Sequence, residues 1–256
     1  MRIHLSRRDC PEMIDRKRLS QILLQDTGLA LVEPHIYSVY SQVENVNPYD
    51  RMGRIYDVVA CNRFYNRFIW GYWPREYHDL CLDALRSSPD GWVLDAGCGS
   101  LAFTAGAYAQ YSERPVILLD QSIKLLRMAK ARMVKLHGSV PQNMVFVHAD
   151  ALDLPFQLKS FTTIISLNLL HALQDVRKLL AGLRNVLADG GTYSCTTLIQ
   201  GNRTADRYLH MLGKIGALVP RSPDELVTLF DEAGMPCVLR IKGSLAFVSS
   251  RRASEQ

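Results

Sequence analysis

From residue 93 to residue 198, short segments that are apolar on both faces alternate with longer ones whose apolar residues recur every three or four positions. The short segments fall at 93–94, 115–119 (PVILL), 144–148, 161–167 and 192–198. A strand is continuously apolar only where both its faces are covered, and helices between parallel strands are what cover them. Helical segments fall at 101–110, at 122–137, where Ile123, Leu126, Ala129, Met133 and Leu136 share a face, and at 175–187, closed by Asp189, Gly190 and Gly191. A further helix at 223–233 opens on the capping pattern Ser222-Pro223-Asp224-Glu225 and stops at Gly234. Segments 238–241 and 245–249 have no helix between them and read as a hairpin. The pattern predicts an α/β fold: a Rossmann-like, seven-stranded, mostly parallel sheet with an antiparallel edge hairpin.

Residues 1–88 show helical periodicity and no convincing strand, and are expected to form an N-terminal helical cap. Aromatics crowd its end, over 49–73; they read as mostly core, in a cluster that also suits the wall of an apolar pocket. Pro74 suits the first turn of a helix to Leu85, with Tyr77, Leu80, Cys81, Ala84 and Leu85 on one stripe. Ser87-Ser88-Pro89-Asp90-Gly91 is turn chemistry and marks the boundary with a second domain over 89–256.

Composition narrows the class. With 48% hydrophobic and 21% charged residues the chain fits a globular protein with a full core. A formal net charge of +5 permits an anionic partner without requiring one. The positive charge is densest over 2–18, which reads as a solvated arm, and the chain has no added nucleic-acid module or basic stripe, so nucleic acid is not an expected partner. No apolar run follows the early positive charge as in a secretory signal, and the most apolar stretch, 161–173, is too short to span a bilayer. The cysteines at 10, 61, 81, 98, 195 and 237 form no CxxC pair and no Cys/His cluster at zinc-ligand spacing. A cytoplasmic protein without a metal is the expectation.

The stretch VLDAGCGSL, 93–101, is a strand running into a glycine turn. Ligands of open parallel sheets sit beyond the carboxyl ends of the strands, and Gly97 and Gly99 let the backbone turn sharply there. A pyrophosphate would call for a third glycine where the next helix begins; that slot holds Leu101. Asp95 is a poor neighbour for a pyrophosphate and a good one for an amino group. A nicotinamide oxidoreductase is disfavoured.

The acid-x-Gly-x-Gly pattern resembles motif I of the class I S-adenosylmethionine-dependent methyltransferases. Asp120 ending the second strand, Ala149-Asp150-Ala151 closing the third, FTTIISLNLL with His171, and LRNVLADGGT over 183–192 repeat that family's order, so that the resemblance spans 90–250. YDRMGRIYD, 49–57, is similar to the lead-in of the ubiquinone/menaquinone-biosynthesis type, in which the Tyr-Asp segment helps to cover the cofactor; Tyr56 is therefore placed in the site. The resemblance implies S-adenosylmethionine as cofactor. It sets Asp95 at the cofactor amine (backbone amides being the other possible partner), Asp120 at the ribose hydroxyls and also as a helix cap, and Gln121 along the adenine. Asp150, beside Ala151, either meets the adenine amino group or caps its loop. Asn168 is either a cofactor contact or a loop hydrogen bond.

His171 has the pKa of a general base near neutrality; the alternative is packing at a helix start, since transfer from a sulfonium often needs only alignment. Arg203, Arg207 and His210, in a substrate-covering insertion at 199–221, meet an acidic substrate or face water. The function expected is methyl transfer to a small apolar or aromatic acceptor. A lipid methyltransferase at a membrane surface and a non-catalytic S-adenosylmethionine-binding protein are the alternatives.

Overall fold

The computed structural model describes residues 14, 16–40, 62–87, 90–111, 114–201 and 203–254. Their centre is a mixed sheet of nine strands: β1 (Ala30–Glu33), β2 (Ile36–Ser38), β3 (Trp92–Ala96), β4 (Val116–Asp120), β5 (Met144–His148), β6 (Phe161–Leu167), β7 (Leu187–Leu198), β8 (Cys237–Lys242) and β9 (Leu245–Arg251). The order across the sheet is β1-β2-β5-β4-β3-β6-β7-β9-β8. Neighbours from β2 to β7 run parallel, whereas β1 and the β8–β9 pair are antiparallel. The order reverses at β3, which lies between β4 and β6, so the turn after β3 opens at the topological switch point.

The expected alternation is present. The helices are α1 (Arg16–Ser20), α2 (Arg63–Tyr65, continued by a π-helical turn to Trp70), α3 (Arg75–Ser87), α4 (Ala105–Gln110), α5 (Ile123–His137), α6 (Val176–Val186), α7 (Arg203–Lys214) and α8 (Pro223–Glu232). Strand periodicity divides the core into two layers. Leu94, Ile117, Val145 and Ile164 face α1, α6 and α8, while Val93, Leu118, Phe146 and Ile165 face α3, α4 and α5. The capping box forms as the sequence predicts: Ser222 accepts from the Glu225 amide, and the Glu225 carboxylate accepts from the Ser222 amide.

Two expectations need correction. Residues 1–88 are not free of strands, because β1 and β2 extend the sheet beyond β5, with Ser38 opposite His148. These strands have four and three residues, too few to display a period of two. The helix expected from Leu101 begins at Ala105 instead, because Leu101 takes a φ of +54°, which no right-handed helix contains.

A third apolar cluster lies outside the two layers. Trp70, Tyr72 and Tyr77 meet Leu198, Leu209, Leu245 and Phe247, with Phe103, Tyr208 and Leu212 against them. The aromatic turn is held there by the β8–β9 turn: Ser244 N–H donates to the Trp70 carbonyl (2.9 Å), and Glu76 pairs with Lys242 and, at 3.7 Å, with Arg240. Gly243 has a φ of +62°, and a Cβ added to it would collide with the Trp70 carbonyl and lie 2.9 Å from Gly71 Cα. Gly243→Ala should therefore destabilise the fold by about 2–4 kcal/mol, from the left-handed backbone together with the collision. Gly138→Ala, at φ +84° with nothing within 4 Å, is the control and should carry the strain alone. Urea unfolding of the two variants measures the difference.

Candidate functional site

The turn after β3 is tied to β4 by its own backbone. Gly97 N–H (2.8 Å) and Cys98 N–H (2.9 Å) both donate to the Leu119 carbonyl. Gly99 N–H donates to Asp120 Oδ2 at 2.8 Å, and Ser122 N–H to Asp120 Oδ1 at 2.8 Å. Gly97 and Gly99 have φ values of +75° and +57°, and a Cβ on Gly97 would press on Leu169 at 2.9 Å. Gly97 is thus favoured by both its backbone and its neighbour, Gly99 by its left-handed backbone alone. Asp120 holds the loop and the Ser122 amide, while Ser122 itself caps α5 by accepting the Leu125 N–H; a carboxylate has room for further hydrogen bonds, so ribose binding is compatible with this role.

Asp95 is buried, and its Oδ2 accepts from the Tyr108 hydroxyl at 2.8 Å while Oδ1 has no hydrogen-bond partner. Burial pushes its pKa up to about 7; the Tyr108 bond opposes this, and the nearby Asp120 charge adds to it. A buried acid with one unsatisfied oxygen beside a glycine turn fits the ammonium group of an amino-acid-bearing nucleoside.

At the far side of β4 stands the adenine end of the expected site. The Gln121 carbonyl accepts from His148 Nε2 (3.1 Å), and Asp150 Oδ1 accepts from the Leu152 amide (2.9 Å), which closes its loop; Ala151 is buried behind it. Tyr40 sets its ring edge against His148, with centroids 4.8 Å apart. Tyr56 lies outside the described residues.

Asn168 occupies the left-handed region, with φ +58°. Its Nδ2 donates to the Tyr77 hydroxyl at 2.7 Å, and its Oδ1 accepts from Thr196 at 3.4 Å. From there a buried chain runs outward: Tyr77 donates to Tyr72, Tyr72 to Asn66 Oδ1 (2.7 Å), and Asn66 Nδ2 to the Asn62 carbonyl (2.9 Å). Asn168 thus makes the loop hydrogen bond that one of its two readings expects. Tyr72, Tyr77 and Asn66 were not singled out as polar groups by the sequence, because isolated phenols in an aromatic run read as packing.

The general-base expectation for His171 runs against its geometry. Its Nδ1 accepts the Leu198 N–H at 3.0 Å, so the ring proton of the neutral imidazole sits on Nε2 and no lone pair remains to take another. Burial, then the Arg221 charge, lowers its pKa to about 4. On α7, Ala205 and Leu209 are buried and Arg207 and His210 exposed, which favours the water-facing alternative for the last two. Of the aromatics in the turn, Trp70 and Tyr72 are core, but Phe64 and Phe68 face solvent.

Against this geometry, residues 93–191 match a family described as "Methyltransferase domain". An O-methyltransferase of Pyrenophora dematioidea is 28% identical over 181 residues, 64% of this chain and 66% of that protein. The reducing polyketide synthase Preu2 of Preussia isomera is 28% identical over 110 residues, 43% of this chain and 5% of the synthase. The chain thus spans less than two thirds of the length of either. Among solved structures, geranyl diphosphate C-methyltransferase from Streptomyces coelicolor A3(2), in complex with S-adenosyl-L-homocysteine, shares the fold at 15% identity (TM-score 0.57; 70% of this chain, 76% of that one). The 4+2 cyclase SpnF does so at 14% (TM-score 0.65; 81% and 95%). The glycine turn thus lies in a methyltransferase domain over residues 93–191, for which S-adenosylmethionine is the cofactor.

Two titrations follow. Asp95, raised to about 7, is protonated in the free protein below that pH, so an ammonium ligand must expel a proton to pair with it. Affinity for S-adenosylhomocysteine should rise with pH to about 7 and then flatten, with proton release visible in calorimetry at pH 6; Asp95→Asn should abolish the release. For His171 the folded pKa of about 4 lies below the ordinary 6.5, so its contribution to stability is complete above pH 6.5 and is lost as pH falls towards 4. The loss should amount to about 3 kcal/mol. His171→Asn, which keeps an acceptor for the Leu198 amide, should flatten this acid limb and leave turnover within about threefold of wild type; a loss of roughly 10²-fold would restore the base.

Proposed function

We propose that the enzyme methylates a small apolar or aromatic acceptor held against the cluster that the aromatic turn forms with α7. The observation that carries this is the third cluster. At the carboxyl ends of β6 and β7 stands a closed wall in which Trp70, Tyr72, Tyr77, Leu209 and Phe247 are buried against one another, with the partly buried Tyr65 and Tyr208 joined through their hydroxyls at 3.0 Å. Its polar groups are phenols, the Trp70 indole and the carboxamides of Asn66 and Asn168 bonded to the phenols. Nothing in that wall suits a polyanion, and an apolar ring would meet faces and edges of its own kind. The geranyl diphosphate C-methyltransferase among the similar structures supports an acceptor of small-molecule size.

At the cofactor we assign Asp95 to the amine, Asp120 to the ribose, and Gln121 and Asp150 to the adenine. The chemistry supplied by the cofactor is an electrophilic methyl group. The chain's part is to align acceptor and donor and to keep water out, which is where most of the advantage of such a transfer lies. With His171 neutral, the acceptor has to bring its own nucleophilicity or an acidic proton. Among the described residues no helix is long and apolar enough to cross a membrane. A second reading, cofactor binding in the service of other chemistry, is the one that a failed transfer assay would favour, since the cyclase named above has this fold.

Labelled S-adenosylmethionine should deliver its methyl to an organic-extractable small molecule; label found instead in protein or nucleic acid would sink the acceptor class. Trp70→Ala should raise the acceptor KM at least tenfold with S-adenosylhomocysteine affinity within threefold. Asp120→Ala should do the reverse, losing at least tenfold in cofactor affinity at about 1.5–3 kcal/mol for each charged hydrogen bond removed.

A further inference from the structure

The β1–β2 hairpin adds more than width to the sheet. Ser38 ends β2 directly opposite His148, and β5 carries His148 to the carboxyl edge beside Asp120. A carbonyl can only accept, so the 3.1 Å contact between His148 Nε2 and the Gln121 carbonyl places the ring proton on Nε2. Nδ1 then accepts, and the Ser38 hydroxyl donates to it at 3.1 Å. Ser38 Oγ in turn accepts the Tyr40 N–H at 3.1 Å. The polar relay runs from the Tyr40 backbone through Ser38 and His148 to the Gln121 backbone. It joins a segment that precedes the glycine turn by more than fifty residues to the loop that follows β4.

Tyr40 is fixed at this spot twice over. Its ring stands edge-on to His148 at 4.8 Å, and its phenol is within reach of the Asp150 backbone, with Asp150 and Asp153 as its nearest charges. It is only half-buried, and it contacts both His148, which holds the Gln121 carbonyl, and the Asp150 backbone. Gln121 and Asp150 both belong to the adenine end of the assigned site.

We propose that Tyr40 is a cofactor-binding residue, its ring forming a wall of the adenine subsite, and that Ser38 is a positioning residue that holds Gln121 in place through His148. The proposal rests on the assignment of Gln121 and Asp150 to the adenine. It makes part of the cofactor site the property of an N-terminal hairpin outside the 93–191 domain. An edge-on or stacked tyrosine discriminates by the shape and π-face of the base, whereas an acid discriminates by its amino group.

The test is calorimetric titration of the full chain with S-adenosylhomocysteine and, separately, with adenosine alone. Tyr40→Ala should weaken both ligands by the same factor, at least tenfold, while Tyr40→Phe, which keeps the ring, stays within threefold of wild type. Ser38→Ala should lose threefold or more for both ligands, with kcat at saturating cofactor unchanged. Asp95→Asn should weaken S-adenosylhomocysteine and leave adenosine as it was, because it touches the other end. Wild-type protein that fails to bind S-adenosylhomocysteine would refute the cofactor site itself. Wild-type binding with an unchanged Tyr40→Ala affinity would overturn this proposal alone. So would a Ser38→Ala variant that melts earlier but binds both ligands as tightly as wild type, since that is the signature of a merely structural hairpin.

Discussion

Three backbone amides in the turn after β3 have to find acceptors inside a sheet covered on both faces, and they find them on β4. Two share the Leu119 carbonyl, and the third takes a carboxylate oxygen of Asp120. An amide left unpaired in such a place costs about 1–3 kcal/mol, so the acid at the end of β4 is required by the fold before any ligand arrives. That requirement reaches Asp95. Its burial already opposes ionisation, and the neighbouring Asp120 charge opposes it further, with the Tyr108 hydroxyl as the group that resists. The turn thus sets one acid as a structural acceptor and leaves the other, raised to about 7, close to the point of losing its proton.

Leu101 shows how the same turn dispenses with a third glycine. The left-handed backbone is retained with a Cβ present, at about 1–2 kcal/mol for a residue of this hand. The side chain is 1% exposed and packs in the layer under α3, α4 and α5, and burying a leucine returns about 1.5–3 kcal/mol. The two effects offset one another. What changes is the position of the helix, which can begin only after the chain has left the left-handed region, four residues further on.

The strands from β3 to β9, most of their helices and the capping box at Ser222 are legible in the sequence because apolar period and capping chemistry act over a few residues. The acids at 95 and 120 and the two glycines are legible because a turn at a switch point admits few alternatives. What escapes is non-local. Strands of three and four residues show no period, and β2 exists only because β5 offers it an edge. The tautomer of His171 is set by the amide of Leu198, a residue 27 positions away that no motif contains. The requirement for glycine at 243 comes from the carbonyl of Trp70, which approaches it only in the folded chain.

The outer edges of the sheet have a consequence of their own. A parallel sheet that ended at β5 would present an apolar strand with a row of open amides and carbonyls, a template for pairing with another copy. Here β2 occupies that edge, and the rim passes to β1, which is four residues long, shifted in register between Leu31 and Glu33, and pinned by Glu33 to Arg127 and Lys130. The opposite rim, β8, carries the cations Arg240 and Lys242. Short, bulged and charged edges resist strand-to-strand association. Proteolytic loss of the first forty residues would uncover β5, and the product to look for is an insoluble aggregate built on that strand.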